Sequence, residues 1–148
     1  PCDSDKACEL YAQQNGMTYT KDPFEDLDSI QKGFVGYKGR IQVTFCEPVA
    51  DKYETADLLA AEIDRQIHLN YQLFPSNIIA WQMHSESVDT SILDDLENQW
   101  PDEDWTLAKH QFETRINSMP QDHQPIAIAA YAAPVDSQLH YSAQSQRL

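Results

Sequence analysis

At 148 residues, with 41% hydrophobic and 23% charged side chains, the chain is long enough to bury one core, and its apolar residues recur too regularly for disorder. Its 24 acidic against 10 basic residues give a formal charge of −14. A surface this negative repels nucleic acid and anionic lipid headgroups over about 8 Å in physiological salt, which excludes nucleic-acid binding as a leading role.

The three cysteines, Cys2, Cys8 and Cys46, form no C-x-x-C pair, and an odd set closes no complete disulfide framework. Reduced thiols in a cytoplasmic setting are therefore expected. No run nears the roughly 18 apolar residues that a membrane span needs. No signal peptide opens the chain, and the start at Pro1 without a methionine places the expected N-terminus upstream.

In chain order, residues 3–12 read as a helix, with Asp3 as its cap and Gly16 as its stop. A second short helix is predicted over 24–31, with Pro23 at its start. Gly33, Gly36 and Gly39 then fall at intervals of three and predict tight turns or a close approach. Ile41, Val43 and Phe45 alternate with polar residues, the pattern of a half-buried strand that Glu47 and Pro48 end. A strand needs neighbours for its backbone donors and acceptors, so its partner is expected in a weaker strand or in a sheet outside this chain.

Residues 55–70 give the clearest helix, with Thr55 as cap and Leu59, Ile63 and Ile67 repeating along one face. Another begins near Ser76 or Asn77 and carries Ile78, Ile79 and Trp81 into the core. Further helices are predicted over 90–98, over 102–117 after Pro101, and over 126–133 up to Pro134. In the helix over 102–117, Trp105, Ala108, Phe112 and Ile116 form the apolar stripe. The fold class expected is thus α+β, mainly helical, with one or two strands. Residues 1–50 form one region, 51–135 a helical region packed on it, and 136–148 a polar, flexible tail.

Several segments also resemble a known family. Pro1, Cys2 and Asp3, then Lys6, Ala7, Glu9, Leu10 and Tyr11, resemble a passage in proteobacterial acyltransferases of the lysophosphatidic-acid-acyltransferase type. Glu25, Asp26, Ser29, Ile30, Gly33 and the run from Gly36 to Phe45 continue the likeness in order. So do residues 61–67, Asn70, Tyr71, and the run Leu73, Phe74, Pro75, Ser76 and Asn77. The resemblance covers about 1–81 and consists of ordered blocks rather than a chemical signature.

It implies that residues 1–50 end an acyltransferase α/β domain, and that the strand over 41–45 ends a larger sheet. It implies transfer of an acyl group from an acyl thioester to a hydroxyl of a lysophospholipid-type or glycerophosphate acceptor, by a parent protein peripheral to the cytoplasmic side of the inner membrane. In that family a histidine acts as general base and an aspartate orients it, from an H-x4-D motif; imidazole titrates near neutrality and a carboxylate fixes its tautomer. That motif and a glycine-containing, arginine-ended phosphate motif belong upstream of the opening block, so this chain is expected to be the non-catalytic C-terminal portion, needing an N-terminal catalytic half. A free-standing helical interaction domain without enzymatic activity is the alternative.

His84 and Asp89 do fall at H-x4-D spacing, but on the wrong side of the family blocks and without a glycine-rich motif after them, so the match reads as coincidence and no catalytic residue is assigned. Lys32, Lys38 and Arg40 gather three of the 10 basic residues inside the glycine-punctuated stretch. They are the candidate phosphate-binding residues, to be weighed against a solvated turn. His68, His110, His123 and His140 are scattered without ligand spacing, so neither a metal nor a cofactor is expected. Trp81, Trp100 and Trp105 read as core or groove anchors. The residues from Phe74 to Asn77 serve either as a helix start or as part of an acyl pocket, and Cys46 as a small buried hydrophobe.

Overall fold

A computed structural model describes residues 2–36, 39–49 and 53–145. All the regular structure among them is helical. Helices α1 (Cys2–Gln14) and α2 (Glu25–Val35) come first, and α3 (Ala56–Asn70) follows an extended stretch. Then come α4 (Pro75–His84), α5 (Thr90–Glu97), α6 (Trp105–Asn117), a single 3-10 turn (Gln121–His123) and α7 (Gln124–Ser145).

The core is built on α4. Leu73, just before it, and Ile78, Ile79, Ala80 and Trp81 within it are all buried. A helix apolar on every side must be enclosed on every side. The long α7 is its main cover, supplying Ala127, Ala132 and Val135; α6 closes another side with Phe112 and Ile116, and α5 adds Leu96. Helices α1 and α3 pack on α7, with Ala7 of α1 reaching the core.

Polar side chains fix the register of this assembly. Asn77 donates to the Tyr131 carbonyl (2.9 Å), and the Trp81 indole donates to the Asp136 carboxylate (2.8 Å). The Trp100 indole donates to the Leu73 carbonyl (2.9 Å), and Gln138 donates to the Tyr71 carbonyl (2.8 Å). No side-chain nitrogen or oxygen buried among the described residues lacks a partner.

Local signals explain the boundaries. Thr55 caps α3 by accepting from the Leu58 N–H (3.2 Å), Asp89 caps α5, and Asp104 caps α6 by accepting from the Leu107 N–H (3.0 Å). Pro75 occupies the first turn of α4, and Asn77 reaches back to accept from the Phe74 N–H (3.0 Å). Gly16 ends α1 at φ 64°, in the left-handed region.

Five expectations are corrected. The fold class is not α+β: the predicted strand over 41–45 is extended chain without a ladder, and Ile41, Val43 and Phe45 are 73%, 70% and 94% exposed. Alternation marks a segment with one apolar side, and no neighbouring strand exists among the described residues to pair with it. Gly33 lies inside α2 with open space around it, whereas Gly36 and Gly39 do require glycine. A Cβ at Gly36 falls 2.6 Å from the Lys32 carbonyl oxygen, and Gly39 adopts φ 68°.

The stripe assigned to α3 is poorly covered, with Leu59 half-buried and Ile63 and Ile67 39% and 49% exposed, while Gln66 is buried. Asp102, expected to open α6, precedes it: the helix starts at Trp105, where Asp104 supplies the cap. Pro134 does not stop α7, which continues to Ser145 through most of the expected tail. Its ring removes one backbone hydrogen bond, but the next residue, Val135, is fully buried and holds the helix in place.

Candidate functional site

Of the two candidate phosphate-binding residues among the described ones, Arg40 lies in a cavity and Lys32 does not. Lys32 sits exposed in the last turn of α2, where its charge complements the negative end of the helix. Lys38 lies outside the described residues. Arg40 lines a cleft of about 540 Å³ between the extended stretch, the start of α4 and α6.

Gly39 and Arg40 form one wall of this cleft. Phe74, Pro75 and Ser76 form the second, and Glu103, Ala108, Gln111, Phe112 and Arg115 the third. The Arg40 guanidinium is ion-paired with the Glu103 carboxylate and lies 4.8 Å from the centre of the Trp100 ring. Trp100 in turn packs against Phe74, with ring centroids 5.8 Å apart. Arg115 donates to the Tyr131 hydroxyl (3.0 Å).

Arg40 is thus a fastener: it ties the extended stretch to the helical body through one carboxylate and one indole face. Both contacts suit a planar guanidinium better than an ammonium. An anion entering the cleft meets two arginines, but it must compete with Glu103 for Arg40. In the sequence Arg40 stands out as a scarce cation, whereas nothing in the local sequence of Glu103 or Arg115 distinguishes them from other charged residues.

A second, mostly apolar cavity of about 340 Å³ lies where α1 meets α7 and the start of α4. Leu10, Tyr71, Ile126, Ala127 and Pro134 line it, with Lys6 at its margin. Lys6 is ion-paired with Glu9 (2.9 Å).

His84 and Asp89 do not form a dyad. His84 ends α4 on the surface, while the Asp89 carboxylate accepts from the Ser91 N–H (2.9 Å) and hydroxyl (2.7 Å) at the start of α5. Those hydrogen bonds hold Asp89 below the usual carboxylate range. Three of the other four histidines have structural neighbours: His68 stacks on Tyr141 at 4.9 Å, His123 lies 4.9 Å from the ring of Tyr11, and His140 pairs with Gln144 at 2.7 Å. No group of three metal-ligating side chains occurs among the described residues, and no helix there is long and apolar enough to cross a membrane. Cys46, expected to be buried, is exposed on the extended stretch.

No protein-family model, curated protein or solved structure matches the chain.

The surface holds one further pronounced feature. Phe24, Leu27, Ile30, Phe34 and Val35, at or within α2, are 55–82% exposed, and no residue of α2 is buried. Together with Ile41, Val43 and Phe45 they concentrate uncovered large hydrophobics in residues 24–45. Scattered exposed hydrophobics need no explanation, but a clustered set marks an interaction surface.

Proposed function

We propose that the chain is the C-terminal, non-catalytic portion of a glycerophospholipid acyltransferase. The parent enzyme transfers an acyl group from an acyl thioester to a hydroxyl of a lysophospholipid-type or glycerophosphate acceptor, peripheral to the cytoplasmic side of the inner membrane. The histidine base and its aspartate belong to the preceding catalytic half; this portion packs against that half.

The observation that carries this reading is where the uncovered apolar residues fall. All but two of the uncovered large hydrophobics, Met83 and Leu107 being the exceptions, lie before residue 72, within the segment that carries the acyltransferase-like blocks, whereas from Leu73 onward the core hydrophobics mostly enclose one another around α4. Surface of that kind is built to be covered by more protein. The engagement of Asp89 with Ser91 fits a non-catalytic role, since it leaves His84 without an orienting carboxylate.

The reading frame that contains this chain supplies the test. An H-x4-D block followed by a glycine-rich, arginine-ended motif is expected before Pro1. The full-length product is expected to esterify a lysophospholipid from an acyl thioester, and to lose that activity when the upstream histidine is replaced by alanine. A full-length product with neither the motif nor acyl transfer overturns the reading. It leaves the alternative that the closed core around α4 supports, a helical interaction domain with no enzymatic task.

A further inference from the structure

The least covered helix of the molecule is also one of its most clearly two-sided. Phe24, Leu27, Ile30 and Phe34 recur at spacings of three and four, which puts them along one side of α2. Their exposures are 65%, 63%, 55% and 82%. By helical spacing Asp26 and Asp28 flank that side, one along each edge, while Glu25 and Lys32 lie opposite it.

An 11-residue helix with no buried residue has little to hold it in water, because isolated helices shorter than about 12–15 residues are marginal even in favourable sequences. Two links brace its start, Tyr19 donating to Glu25 (2.6 Å) and Lys21 to Asp26 (2.9 Å), and both come from the loop just before it. The apolar side itself has no cover among the described residues.

We propose that this side of α2 is a docking surface for a protein partner that presents an apolar groove bordered by lysine or arginine. The charge decides among occupants. Three acidic residues stand in the first turn of α2, one of them balanced by Lys21, and the chain as a whole carries −14. A second copy brings the same negative charge to the contact, and an anionic lipid surface brings more. A basic-rimmed protein groove satisfies both the apolar side and its acidic border, in the manner of an amphipathic helix laid into a groove. The proposal rests on the acyltransferase reading only for the partner's identity, which on that reading is the catalytic half of the same polypeptide.

Hydrogen exchange on the full-length product tests it. The α2 amides are expected to exchange at least about tenfold more slowly than the same sequence as a free peptide. Phe34→Asp is expected to abolish that protection while leaving α4 protected, and Asp28→Lys to reduce it. Free exchange of α2, or protection that survives Phe34→Asp, overturns the proposal. So does protection that appears only with phosphatidylcholine vesicles, which assigns the surface to lipid, or protection that rises with protein concentration, which assigns it to a second copy. An active acyltransferase whose α2 exchanges freely removes this inference alone. A protected α2 in a protein with no acyl transfer removes the acyltransferase reading alone.

Discussion

Helices α4 and α2 are nearly equal in length, 10 and 11 residues, and both carry large hydrophobics, yet they meet opposite environments. In α4 the apolar residues are consecutive, Ile78, Ile79, Ala80 and Trp81, so no orientation leaves them in contact with a single neighbour, and α5, α6 and α7 surround the helix. In α2 they are spaced along one side, a pattern that one flat or grooved partner satisfies. The arrangement of apolar residues therefore tells how many partners a helix needs, while their number tells only how much area must leave water. The first helix found its partners inside the chain; among the described residues the second did not.

Paired substitutions break this contrast most directly. Ile78→Ala is expected to lower the stability of the chain by about 2–5 kcal/mol, the range for truncating a fully buried aliphatic residue, whereas Phe34→Ala should change it by less than about 0.5 kcal/mol. Urea denaturation followed by circular dichroism measures both, and similar losses at the two sites refute the contrast. Asn77→Ala comes next. It leaves the Phe74 N–H and the Tyr131 carbonyl without their side-chain partner beside the core, at a cost of about 1–3 kcal/mol in the same measurement.

Arg40→Lys is smaller still. The arginine side chain is 51% exposed, so solvent screens its ion pair with Glu103, and the expected loss stays below about 1 kcal/mol. The sharper readout is local: limited proteolysis within residues 41–49 should quicken as the guanidinium leaves the Trp100 ring, while the helical core stays resistant.

The smallest effect concerns pH. Hydrogen bonds from Ser91 depress the Asp89 pKa in the folded chain, so its stabilising contribution is complete above the unfolded carboxylate pKa, near about pH 4. It is lost as pH falls through the lower folded value. Asp89→Asn should therefore show a slightly shallower loss of stability on acidification than the parent chain; an unchanged slope rules this contribution out.

The sequence signals that proved reliable were those with a one-to-one physical cause. Thr55 as a cap, the consecutive apolar residues after Asn77, and the stripe of Phe112 and Ile116 each had a local or amphipathic reason to fold as they did. The misreadings share another source. The alternation of Ile41, Val43 and Phe45, and the spacing of Leu59, Ile63 and Ile67, record which side of a segment is apolar, but not whether anything in the same chain covers it. Pro134 predicts a stop because its missing N–H weakens a helix, but nothing local shows the burial of Val135 behind it.

The cleft was half legible. Arg40 stood out as one of ten basic residues, but its partner Glu103 lies 63 positions away, and no motif joins them.

The order of elements has a consequence for synthesis. The contacts that close the core join Asn77 to Tyr131 and Trp81 to Asp136, 54 and 55 positions apart. During translation α4 leaves the ribosome well before α7 exists, so the stickiest helix of the molecule waits bare while some fifty further residues are made. Its shelter in that interval must come from chaperones or from nascent neighbours, and a chain stopped short of α7 is the form most prone to aggregate.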